Sequence, residues 1–65
     1  MSKPTLTTAR RLFKRRNPGT AFNVVWERRP VKTDAGWCSS VLVTADGFRP
    51  KVLRLYSDVD GIALF

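Results

Sequence analysis

The chain contains no histidine and a single cysteine, Cys38, and each shortage removes a body of chemistry. Without imidazole, the commonest general base and the commonest metal ligand are both missing, and one thiol builds neither a structural zinc site nor an internal disulfide. A small secreted scaffold held by bridges is thereby excluded, and a reducing, cytoplasmic setting is expected. A nucleophilic Cys38 needs a neighbouring base to form thiolate, so Cys38 reads as buried filler. No apolar run approaches the ~18 residues of a membrane span, and the first residues lack the apolar core of a secretory signal. The expectation is a soluble chain that does not engage membranes. Glycine-rich phosphate loops are also missing, since Pro18-Gly19 and Asp46-Gly47 are isolated glycines with turn explanations of their own.

Acidic side chains are few, five in all, and four of them (Asp34, Asp46, Asp58 and Asp60) fall at turn signals. There a short carboxylate hydrogen-bonds nearby backbone. Acid–base and glycosidic chemistry need paired carboxylates in a cleft, which separate exposed turns do not provide. Asp58-Val59-Asp60-Gly61 shares the opening of a calcium loop, yet the chain ends five residues after Asp60 with no bidentate glutamate. It reads as an ordinary turn. The expectation is a protein that is not an enzyme and that uses no metal or cofactor.

What is present suits one small folded body. Sixty-five residues with 43% hydrophobic and 26% charged side chains match globular usage and allow a single domain over 1–65. A chain of this length buries only about 60% of the surface it exposes when unfolded, so a partner or a second copy would add stability. Twelve Lys and Arg give a net +7. Residues 1–32 hold nine basic side chains against one acid, a net +8, and residues 33–65 carry −1. A field of one sign concentrates oppositely charged partners and says nothing of the fold.

Local signals divide the chain into one helix and a set of strands. Residues 1–4 read as a flexible lead, after which Thr5 or Thr7 caps a helix over 5–16. At 100° per residue, Leu6, Ala9, Leu12 and Phe13 share one arc of about 120°, and Arg10, Arg11, Lys14 and Arg15 take the opposite side. The segment is a basic amphipathic helix that Asn17, Pro18 and Gly19 bring to an end. From residue 20 onward an antiparallel sheet is expected. Phe22 to Arg29 alternates, with Phe22, Val24 and Trp26 on one face. Pro30 to Gly36 suits a long, mobile hairpin loop with Lys32 at its tip, and Trp37 to Thr44 forms the second strand. Asp46-Gly47 has the composition of a type I′ turn leading straight into a third strand, although Pro50 delays regular pairing to Lys51. Ser57 to Gly61 turns the chain into a short final segment, Ile62 to Phe65.

The fold class is therefore α+β, with an N-terminal helix packed on an antiparallel meander of three to four strands. Leu6, Leu12 and Phe13 would meet Val24, Trp26, Val41, Val43, Leu53, Leu55 and Leu64 in one core. One helix covers one face of a sheet, which leaves Asn23, Val25, Arg29, Ser40, Leu42, Val52, Arg54 and Tyr56 on a half-apolar far face.

The sharpest chemical feature is the run Arg10-Arg11-Leu12-Phe13-Lys14-Arg15-Arg16. Its plain reading is a solvated face that keeps the protein soluble, with the cations in loose contact with turn carboxylates. Against that, like charges four residues apart oppose helix formation, and the planar guanidinium fork suits phosphate oxygens. Arg28, Arg29 and Lys32 form a second basic group, so the two groups together would clamp a phosphate backbone. Trp37, Arg54 and Tyr56 are secondary contacts, and Trp26 belongs to the core. The expected function is that of a small basic protein binding nucleic acid, DNA or RNA, in a regulatory or architectural role. The alternative is an adaptor or inhibitor that docks on an acidic partner protein. A homodimer through the exposed sheet face is compatible with either.

Overall fold

The computed structural model describes residues 3–65, so Met1 and Ser2 of the expected flexible lead lie outside the described residues. Helix α1 spans Leu6–Arg16. Its N-cap is Thr5, whose extended backbone turns the side chain so that Oγ1 accepts the Thr8 backbone N–H at 3.3 Å. Pro4 is fully buried, which corrects the flexible reading for the end of the lead. It occupies the position before the cap and Ala9, also buried, the fourth helical position, the two places that a hydrophobic staple joins. At the other end Asn17 closes the helix. Its backbone N–H reaches Phe13 O at 3.0 Å and Lys14 O at 3.2 Å, and its side-chain amide donates to Phe13 O at 3.1 Å. Carbonyls left without helical partners are satisfied in this way before Pro18 forbids continuation.

Four strands follow: β1 (Asn23–Thr33), β2 (Gly36–Thr44), β3 (Lys51–Asp58) and β4 (Gly61–Leu64). They pair antiparallel in chain order, giving the expected α+β meander. The last residue extends the pairing, as Phe65 and Arg54 exchange backbone hydrogen bonds of 2.8 and 2.9 Å. The β3–β4 turn is held by Asp58 Oδ1, which accepts the Asp60 backbone N–H at 2.8 Å.

Two connections differ from the sequence expectation. The long mobile loop over Pro30–Gly36 is absent, because β1 continues to Thr33 and pairs Thr33 with Gly36 around Asp34-Ala35. Proline is tolerated there because β1 is an edge strand and its pairing slips between Arg28 and Val31. Lys32 therefore lies on a strand, opposite Trp37, and not at a loop tip. The second difference follows Thr44. Among the described residues no side-chain-bearing residue has positive φ, so Asp46 cannot occupy a type I′ turn, and only Gly47 there does, at +81°. The Phe48 N–H closes this turn on Ala45 O at 3.2 Å, and an irregular stretch then runs to Lys51, where pairing resumes as the proline predicts.

The core lies between α1 and one face of the sheet. Ala9, Val24, Val41, Val43, Leu55 and Leu64 are buried, with Leu6, Leu12, Phe13, Phe22, Trp26, Leu53 and Ile62 packed around them. Phe13 and Phe22 meet edge to face at 4.7 Å and tie the helix to the start of β1. Gly36 seats the first hairpin against β3: its φ is +140°, and an added Cβ would lie 2.0 Å from Ser57 O.

Candidate nucleic-acid interface

The helix supplies the first cationic feature through its own periodicity. Arg10, Arg11 and Lys14 are exposed beside Thr7 on the side of α1 away from the core, where they line an open groove of about 700 Å³. The opposite wall is the descending chain, Thr20, Ala21, Phe22 and Asn23. The groove exists because Asn17-Pro18 turns the chain back alongside the helix it has just ended. Arg15 and Arg16 are exposed but do not line it. Together with Lys14 they occupy the last helical turn, where cations interact favourably with the negative end of the helix dipole. Among the described residues, no lysine or arginine forms an ion pair with a carboxylate. The loose contacts with turn acids that a merely solvated face implied are thus not made.

The second basic group is divided. A shift in the β1–β2 register between Trp26 and Arg28 puts Glu27 and Arg28 against the same stretch of β2 and displaces the alternation by one residue. Arg28 consequently lines a recess on the sheet face away from α1, with Glu27, Cys38, Ser40, Val52, Arg54 and Tyr56. Arg29, expected on that far face, instead lines a hollow by the N-terminus of α1 with Lys3, Pro4, Leu6, Trp26 and Pro30. Lys32 sits on the helix side, its Nζ 5.5 Å from the centre of the Trp37 ring. The expected clamp of Arg28, Arg29 and Lys32 against the helix is therefore not a single surface.

The aromatic and polar secondary residues also separate. Trp37 is half-buried and carries Lys3 Nζ at 5.9 Å as well as Lys32, so its ring is engaged by its own chain's cations. Trp26 packs against the core, as the alternation requires. On the far face, Arg54 is exposed while Tyr56 is half-buried and tilted against Phe65 at 5.5 Å. The same face carries Val25, Val31 and Val52, all exposed, and a half-buried Cys38. Ser40, buried on this side, donates from Oγ to Glu27 Oε2, which accounts for the one acid on β1.

Three further residues enter the site that sequence reasoning passed over. Phe48, Arg49 and Lys51 line a cleft of about 340 Å³ with Phe13, Asn17, Thr20, Val43 and Ala45. The signal was an aromatic and two cations around Pro50. It was masked by assigning Asp46-Gly47 to a two-residue hairpin, which makes Phe48 an ordinary strand residue. Thr20 lines both this cleft and the α1 groove, so the two adjoin across the segment that leaves the helix.

Charge is distributed lengthwise as a result. The body measures 38 × 20 × 15 Å. Asp34, Asp58 and Asp60 gather at the end where Gly36 meets Ser57 and Asp58, and Lys3 and Lys32, both against the neighbouring Trp37, offset part of their charge. The end formed by the C-terminus of α1, the start of β1 and the β2–β3 connection carries the two cationic clefts and one acid, Asp46. Among the described residues no helix is long and apolar enough to cross a membrane, and no group of three or more His, Cys, Asp or Glu is placed to hold a metal. Comparison of the chain with protein-family models, with curated proteins and with solved structures finds no match.

Proposed function

We propose that the protein binds nucleic acid without catalysing a reaction on it, seating phosphates in the groove beside α1 in a regulatory or architectural role. The observation that carries this reading is the convergence of Arg10, Arg11 and Lys14 on one open groove with no carboxylate among the described residues paired to them. Guanidinium groups offer several fixed donors to phosphate oxygens, and the hydroxyls of Thr7 and Thr20 in the same groove add neutral contacts of the kind that position a backbone. Such contacts respond to salt and not to base sequence. Mobility shift with duplex and single-stranded probes at two salt concentrations tests the reading. Binding that weakens steeply with salt supports it, and absence of salt-sensitive binding removes it.

One observation favours a second reading. Val25, Val31 and Val52 are exposed on the sheet face opposite α1, flanked by Arg28 and Arg54, which suits an adaptor that docks on an acidic partner protein, or a second copy of the chain. Partners retained from nuclease-treated lysate, and lost on Val52→Asp, would favour this reading over the first.

A further inference from the structure

Phe48 is 71% exposed, beside two cations, in a chain so short that it buries only a modest share of its surface. An aromatic ring left in water at that cost to folding, with Arg49 and Lys51 on the same cleft, matches how single-stranded nucleic acid is held: a base face on a ring and phosphates on neighbouring cations. The floor of the cleft is apolar (Phe13, Val43, Ala45), and Asn17 and Thr20 supply polar side chains at its wall. Duplex nucleic acid has no free base face to offer, so the cleft discriminates between the two forms where the α1 groove does not. The shared Thr20 wall gives a strand a continuous path from one to the other.

We infer that this cleft accepts one unpaired nucleobase stacked on Phe48, with the adjoining backbone running past Arg49 and Lys51 and over Thr20 into the groove of Arg10, Arg11 and Lys14. The inference rests on the nucleic-acid reading above and adds a preference for single strands. An acidic protein segment would satisfy the cations equally well and leave the ring without a stacking partner.

The test compares the wild-type chain, Phe48→Ala and Phe48→Trp against a labelled oligothymidylate and a duplex of equal length, by fluorescence anisotropy over a range of salt. Phe48→Ala should lose about 5- to 150-fold in affinity for the single strand, with an unchanged salt slope and unchanged duplex binding. Phe48→Trp should retain affinity, and its added indole fluorescence should be quenched by the oligothymidylate. Circular dichroism confirms that both variants are folded. Equal single-strand affinity of Phe48→Ala and wild type, an equal loss on duplex and single strand, or an unquenched Trp at this position overturns the inference while leaving salt-sensitive binding through α1 intact. Competition by polyglutamate that depends on Phe48 overturns it in favour of an acidic protein ligand. No salt-sensitive binding by the wild type removes both readings together.

Discussion

Replacing Arg10, Arg11 and Lys14 together with glutamine empties the α1 groove of charge while leaving its shape, because glutamine has nearly the helix propensity of arginine and lysine. If each of the three meets one phosphate, the slope of log affinity against log salt should flatten by about 2 on single strands, at about 0.7 per phosphate. Raising salt fourfold should then weaken the wild type about 18-fold more than the variant. The fold should not suffer. Removing Lys14 forfeits a few tenths of a kcal/mol of helix-end electrostatics, and removing the repulsion of Arg10 with Lys14 and of Arg11 with Arg15 returns a similar amount. The thermal midpoint should therefore hold within a few degrees as binding falls. Arg15→Gln with Arg16→Gln is the control, since neither side chain lines the groove. That pair should alter the slope less than the triple variant does. A triple variant with the wild-type slope, or a control pair that flattens it as much, would refute the assignment of the groove as the phosphate seat.

Three stability predictions follow from the scaffold. Gly36→Ala should destabilise by about 2 kcal/mol or more in urea titration, because a Cβ there collides with Ser57 O at 2.0 Å and φ is +140°. A wild-type midpoint would show that the hairpin does not seat as described. Leu55→Ala removes a side chain with 0% exposure from the centre of the sheet and should cost about 2–5 kcal/mol, enough to unfold much of so small a domain, and far-UV circular dichroism at ambient temperature checks it. Thr5→Ala should cost about 1 kcal/mol and lower the thermal midpoint by about 4–8 °C. A shift under a degree would mean that Thr5 does not cap α1.

The elements that could be read from the chain are those set by local chemistry. Thr5 and Asn17-Pro18 mark the ends of α1, the alternation Phe22–Trp26 sets the inner face of β1, and Pro50 marks where pairing must wait for Lys51. What escaped reading depends on pairing with a neighbour. The register slip opposite Ser40 exchanges the faces that Arg28 and Arg29 would hold under strict alternation, and no period within β1 announces it. Pro30 is compatible with a strand only when that strand is an edge, which is a property of the sheet order. The cationic run on α1 was visible, but not the wall of Thr20–Asn23 that makes it a groove. Phe48 was hidden because a dipeptide that often makes a two-residue hairpin here makes a turn of another type, after which the chain strays from the sheet.

The lengthwise separation of charge has a kinetic consequence. Three carboxylates, partly offset by Lys3 and Lys32 on Trp37, stand at one end of a 38 Å body, and two cationic clefts with a single acid stand at the other. In the field of a polyanion such a particle experiences a torque as well as an attraction. It rotates helix-terminus first during the last nanometre of diffusion, so that a larger share of collisions arrive already oriented, an advantage that fades as added salt shortens the range over which the torque acts.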